Sequence, residues 1–257
     1  MNKKSVSKNS TSFQDFVEKS IHPSNSSFSK ESVKKNTRNS TFPINYNFLL
    51  EYPYCKIPIF NQSGCSTCYA FAVSASLSHR FCKQTGNFYY LNPQDLIYCD
   101  YFSSGCFSGS HEYLSWRYIQ YNGLPNISCQ SFNLQGTCNF STKCKRYYTK
   151  YKSLKTINGE ESIIKEILKN GPVTALIQLT SVFSKYKEGI YESNDIEKLN
   201  LFHTVEIIGW GIEKNKSYWL IQNSYGSQWG DNGFFKIIRG KNHLGIEGYA
   251  TSAEPLI

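Results

Sequence analysis

The chain has 257 residues, of which 40% are hydrophobic and 16% aromatic, with a formal net charge of +9 and nine cysteines. The aromatic content and a mean hydropathy of −0.44 exclude a wholly disordered chain, and no apolar run approaches the roughly 20 residues of a membrane span, so no membrane insertion is expected. The positive charge admits acidic partners, but the basic residues are scattered. Their densest group (Lys143, Lys145, Arg146, Lys150 and Lys152) reads as solvated surface, and no nucleic-acid partner is expected.

Residues 1–41 are rich in Ser, Asn and Lys. They read as a polar extension or partial pro-segment, with a short helix over Thr11–Ser20, ahead of one domain over residues 42–257. The start has the basic residues of a secretory signal but not its apolar stretch. From Phe42 the pattern changes. Cys68–Cys82 is rich in Ala and Ser with near-helical apolar spacing, which suits a buried helix capped by Ser66 or Thr67. Asn92–Cys99 opens with an Asn cap and a first-turn Pro, a second helix start. Gly109–Gly123 is a third helix stopped by Asn122–Gly123, and Gly159–Pro172 is a fourth, amphipathic one. The period then shortens. "VTALIQL", "HTVEIIGWG", "KSYWLIQNS" and "GFFKIIRG" are strands separated by turns. Helices first and strands afterwards predict an α+β fold of two lobes with a cleft between them.

The stretch "NQSGCSTCYAF" (Asn61–Phe71) holds Cys65 and Cys68. The pair fits a metal half-site, a redox pair, or a structural cysteine beside a reactive one. An odd count of nine favours bridges plus one free thiol. Bridges in turn imply an oxidising compartment. A helix N-terminus lowers a thiol pKa, as does a nearby imidazolium, and Cys68 opens the first buried helix. Gln62, just upstream, carries an amide that can donate to an oxyanion together with a backbone N–H. Of five histidines, His22 lies in the extension, His79 lies inside the Cys68 helix, and His111 and His243 lie beside turns. His203 begins a predicted strand and is the candidate base. Asn223 ends another strand beside Tyr225 and Trp229, where an amide can accept from an imidazole N–H and rings can keep water away.

Three phrases, "NQSGCSTCYAF", "HTVEIIGWG" and "NSYGSQWGDNGFFKIIRG", resemble the papain-like cysteine proteases. Cys68 to His203 is 135 positions (203 − 68) and Cys68 to Asn223 is 155 (223 − 68), at or near the family's spacing of about 130–150. Within the family, the stretches Phe42–Cys55, Asn170–Glu192 and Lys216–Gly248 are similar to cathepsin B, and the resemblance covers Phe42 to roughly Ala253. The resemblance implies a two-lobed fold, with a helical N-terminal lobe and a β-barrel-like C-terminal lobe. It implies Cys68 as nucleophile, His203 as base and acid, Asn223 as its orienting partner and Gln62 in the oxyanion hole. No cofactor or metal is implied, and the partners are protein or peptide substrates of a monomer in a lysosome-like, vacuolar or secreted setting. The family's bridges map to Cys65–Cys106 and Cys55–Cys82, with Cys99–Cys138 and Cys129–Cys144 fitting the remaining loop. That leaves Cys68 free, and a zinc reading would need further ligands.

The departures matter as much. Tyr69 stands where Trp is usual, "CST" replaces "CGS", and Tyr225 replaces a Trp over the Asn–His contact. Phe202 replaces a Gly before the histidine, which narrows the primed side. Ser108 and Gly109 form the substrate wall, Gly109 offering its backbone, and Trp229 lines the cleft. Tyr249 replaces an acid at the floor of the S2 pocket, which predicts an apolar or aromatic P2 residue rather than Arg. Cathepsin B's histidine-bearing occluding loop has no counterpart between Gly123 and Cys144, which predicts an endopeptidase working through a thioester. The alternative is a catalytically silent relative that binds peptides, and a non-papain binding module is a distant third. Seven N-x-Ser/Thr sites, at Asn9, Asn25, Asn39, Asn61, Asn126, Asn139 and Asn215, follow from composition alone.

Overall fold

The computed structural model describes residues 42–138, 143–192 and 197–257. The expected extension over 1–41 with its short helix, His22, and the sites at Asn9, Asn25, Asn39 and Asn139 lie outside the described residues.

The first half is helical, as its periodicity predicts. The Cys68 helix spans Cys68–Thr85 and is buried without a break from Tyr69 to Cys82, which its small Ala and Ser residues allow. It ends at Gly86, whose φ of +74° only glycine adopts at little cost, with the Gly86 N–H on the Cys82 carbonyl at 2.8 Å. Neither predicted cap forms at its start. The Thr67 hydroxyl is buried without a hydrogen-bond partner among the described residues, and the first turn is held by the Thr67 carbonyl, which accepts from Ala70 and Phe71. Asn92 does cap the next helix, Gln94–Tyr98, accepting from the Gln94 N–H at 3.0 Å. Helices follow at Gly105–Ser108, Glu112–Asn122 and Glu160–Asn170.

The strands are β1 (Tyr46–Asn47), β2 (Leu124–Pro125), β3 (Arg146–Tyr147), β4 (Lys155–Ile157), β5 (Val173–Thr180), β6 (Ile190–Tyr191), β7 (Lys198–Glu213), β8 (Lys216–Gln222), β9 (Phe234–Ile238) and β10 (Ala250–Ser252). Eight of them make one sheet in the order β4-β10-β5-β7-β8-β9-β6, with β1 on β7. All pairings in it are antiparallel except β6 with β9.

Two large apolar cores result among the described residues, with a smaller one of Phe48, Cys55, Cys82 and Ile208 beside them. One, around Phe71, Leu77, Leu96 and Trp116, belongs to the helices. The other, around Ile163, Ile177, Trp219 and Phe235, lies against the sheet. The fold is therefore the α+β, papain-like one that the sequence predicts. Polar groups on the Cys68 helix fasten it to the second lobe. Arg80, fully buried, donates to Glu166 Oε1 at 2.9 Å and to the carbonyls of Pro172, Gly171 and Ala253. Burial alone would raise the Glu166 carboxyl, but Arg80, Lys155 and Asn170 hold it down at about 2. His79 Nδ1 lies 2.8 Å from Glu206 Oε1 of β7. One member of the basic cluster departs from the solvated reading, since Arg146 turns inward to pair with Asp95.

Four bridges join Cys55 to Cys82, Cys65 to Cys106, Cys99 to Cys138 and Cys129 to Cys144. Among the described residues Cys68 is the free cysteine. Among them too, no helix is long and apolar enough to cross a membrane.

Candidate active site

Cys68 is the first residue of its helix, where the backbone N–H groups lack helical partners and the dipole is positive. Its Sγ accepts from the Thr204 N–H at 3.4 Å. Thr204 follows His203 in β7, so the thiol lies against the histidine's own stretch of strand. Burial pushes the Cys68 thiol up. The Thr204 and Tyr69 N–H groups pull against that, and Glu112 adds to it.

His203 is buried and its Nε2 is 2.7 Å from Asn223 Oδ1. The same Oδ1 accepts from the Ser224 N–H at 2.8 Å. An amide oxygen only accepts, so Nε2 carries the proton and a neutral imidazole keeps its lone pair on Nδ1. Burial pulls the His203 pKa down to about 4, against the raising effect of Asn223. Tyr225 lies over the imidazole, with centroids 4.8 Å apart, and Phe183 and Trp229 continue the aromatic wall. Trp229 is fixed by its Nε1–H on the Ser184 carbonyl at 2.9 Å.

Gln62 reaches the site through a contact between loops. Its N–H bonds to the Ser224 carbonyl at 2.9 Å, the Gly226 N–H bonds to the Phe60 carbonyl, and Asn61 bridges Tyr225. Gln62 Oε1 accepts from the Ser224 hydroxyl at 2.6 Å and Nε2 donates to the Cys65 carbonyl at 2.8 Å. Tying the oxygen end fixes the amide with its nitrogen toward the Cys65–Cys68 loop, and one of its two hydrogens remains for a substrate.

The other residues named from the sequence are placed as follows. Ser108 is exposed at the end of its short helix. Gly109 has φ +75°, and a Cβ there would come within 2.7 Å of the Ser66 carbonyl, so the chain passes too close for a side chain. Its N–H donates to the Gly105 carbonyl and its own carbonyl accepts from Ser104, which leaves a second carbonyl lone pair for any further contact. Phe202 pairs with Gln178 across β5. Tyr69 is fully buried, its hydroxyl on Ser103. Tyr249 packs edge-on against His111, with centroids 5.0 Å apart.

Glu112 is the residue that sequence reasoning missed. It is fully buried, Oε2 accepts from the Thr204 hydroxyl at 3.4 Å, and Oε1 has no hydrogen-bond partner among the described residues. His111 Nδ1, 3.6 Å from Oε2, accepts from the Tyr113 N–H, so a neutral His111 gives this carboxylate no proton from that atom. Its charge acts on both Cys68 and Tyr249. No signal in the sequence set it apart, because an acid in the first turn of a helix reads as solvated.

Residues 53–254 match the family model described as papain family cysteine protease, and the chain belongs to that family. Among curated proteins it is similar to pro-cathepsin H of Bos taurus, 31% identical over 206 residues, covering 78% of this chain and 61% of the relative. It is likewise similar to cathepsin C of Schistosoma mansoni, 32% identical over 219 residues, covering 78% of this chain and 48% of the relative. The chain thus spans about half to three fifths of the length of these relatives. Among solved structures, proCathepsin B S9 from Trypanosoma congolense superposes with a TM-score of 0.77 at 23% identity, over 94% of this chain and 88% of that one. Procathepsin L2 from the larval midgut of Tenebrio molitor gives 0.76 at 25%, over 84% and 69%. The first of these likenesses speaks for the fold alone.

Proposed function

We propose that the protein is a cysteine endopeptidase with Cys68 as nucleophile and His203 as general base and acid. The observation that carries this is the 2.7 Å His203–Asn223 contact, which leaves Nδ1 as the basic atom on the strand whose Thr204 N–H bonds the Cys68 thiol. Family membership supports the same reading. The Cys68 proton passes to His203 Nδ1, giving a thiolate and an imidazolium that stabilise each other in a buried site. The thiolate adds to the substrate carbonyl, and the oxyanion is met by the Gln62 amide and the Cys68 N–H. As the C–N bond breaks, His203 returns the proton to the departing amine and a thioester remains. Water, deprotonated by His203, then releases the acid and restores the thiol.

Endopeptidase action rests on the residues between Gly123 and Cys144, which contain no histidine. A closed-end exopeptidase needs a donor for the substrate's terminal carboxylate, because leaving it unpaired is costly. In this respect the chain is a cathepsin B-like enzyme without an occluding loop. At S2, Tyr249 offers an apolar ring and favours a bulky apolar or aromatic P2 residue. Glu112 is the feature that favours Arg there instead, since its carboxylate lies near Tyr249. Ser108, Gly109, Phe202 and Trp229 line the remainder of the cleft. Residues 1–41 are a polar extension or partial pro-segment ahead of a peptidase domain over 42–257. Four bridges suit a lysosome-like, vacuolar or secreted setting, in which the protein acts as a monomer.

Labelling with a thiol-directed epoxide, together with two peptide series, tests these assignments. One series varies P2 and the other varies the distance from the cut to the C-terminus. Covalent label on Cys68 and cleavage far from either end are expected. Peptide binding without label or turnover would make the protein a silent relative, and stepwise release of C-terminal dipeptides would refute the open cleft.

A further inference from the structure

Behind the His203–Asn223 pair, three buried polar atoms lack a hydrogen-bond partner among the described residues: Asn223 Nδ2, Gln222 Oε1 and Glu206 Oε2. Their residues line one cavity of about 10 Å³, with Phe60, Phe71 and Thr204 among its other walls. The register of β7 on β8 sets Glu206 opposite Gln222, and Asn223 is next in the chain. A volume of roughly this size holds one water, which needs two to four polar partners. One donor group and two acceptors match what one water offers. It can accept from the Asn223 amide and donate to Gln222 and Glu206.

We propose that the cavity is a binding site for a single water, and that Glu206 is a positioning residue that fixes which end of the Asn223 amide faces His203. Turning the amide over would set Oδ1 toward two acceptors and the NH₂ toward Nε2. Nε2 would then have to accept, the proton would move to Nδ1, and no lone pair would remain there for the Cys68 proton. Two acceptors behind Asn223 disfavour that arrangement, in addition to the Ser224 N–H, which donates to Oδ1 at 2.8 Å. Glu206 is itself fixed by His79, whose Nδ1 lies 2.8 Å from Oε1, with the two side chains 0% and 1% exposed. Strand alternation makes this placement possible, because His203 and Glu206 lie on opposite faces of β7, three positions apart. His203 thus meets the aromatic wall while Glu206 meets the Cys68 helix.

The kinetic part of this inference rests on the peptidase reading, whereas the water does not. A crystal structure of the unaltered protein at a resolution that places waters should show one ordered water within hydrogen-bonding distance of all three atoms. A cavity without one, or filled by a side chain, overturns the site. Glu206→Gln can turn its own NH₂ toward the cavity and weakens the bias on Asn223, leaving the Ser224 N–H on Oδ1 as the other restraint. It should lower kcat about tenfold at unchanged KM. It should also reduce Cys68 alkylation by iodoacetamide at acid pH, where only an activated thiol reacts. A folded Glu206→Gln with the wild-type kcat and alkylation profile refutes the positioning role. If Glu206→Gln does not fold, Gln222→Met removes the other acceptor and should lower kcat two- to threefold, and an unchanged kcat would count equally against it. An inactive wild type with the water in place would sink the peptidase reading and leave the site standing.

Discussion

Arg80 and Glu166 join the Cys68 helix to the second lobe, and Glu166→Gln tests how much of the cleft depends on them. Arg80 is fully buried, with Glu166 Oε1 at 2.9 Å, and Lys155 lies 2.7 Å from Oε2. Removing one partner of a buried pair leaves an uncompensated charge and costs about 3–5 kcal/mol. Carbonyl contacts to Pro172, Gly171 and Ala253 remain on Arg80 and place the loss toward the lower figure. For a domain of this size each kcal/mol is about 2–4 °C in Tm, so a fall of roughly 6–12 °C is expected at pH 7. The pH dependence is fixed in sign. The folded carboxyl sits at about 2 against an ordinary 4.5. Its contribution is full above 4.5 and disappears as pH falls through about 2. The gap between wild type and variant should therefore shrink by about half between pH 7 and pH 3. Urea unfolding of both proteins across that range measures it. A gap under about 1 kcal/mol at pH 7, or one that stays constant to pH 3, would refute the argument.

Cys68→Ser should abolish turnover while its melting temperature stays within a few degrees of wild type, and wild-type rates would remove Cys68 from the mechanism. Alkylation followed by non-reducing peptide mapping should find Cys68 as the modified cysteine and Cys65 joined to Cys106, whereas a resting Cys65–Cys68 bond would favour a redox role. With His203 near 4, kcat/KM should hold as pH falls to about 5 and drop through about 4, because below that His203 carries a proton it cannot exchange with Cys68. An acid limb centred near 6.5 would mean that the imidazole is far wetter than its burial implies.

Local order was legible in the sequence. Small residues at helical spacing gave the Cys68 helix, and alternating β-branched and aromatic runs gave β5, β7, β8 and β9, because periodicity and turn chemistry act over a few residues. The resemblance of three phrases to the papain-like family, and not spacing by itself, pointed to Cys68, His203 and Asn223 as the candidate catalytic residues. What the sequence left open is what depends on distant segments meeting. Nothing local shows that the Phe60–Gln62 loop pairs with Ser224–Gly226 and delivers the Gln62 amide. A charged residue within an amphipathic stretch reads as solvated, so Arg80, Glu112 and the His79–Glu206 pair emerge as buried only once the two lobes close over them, and the inward turn of Arg146 emerges only where Asp95 meets it. Burial of a charge is decided by its partner, and that partner stands 86 positions away for Arg80 and 127 for His79.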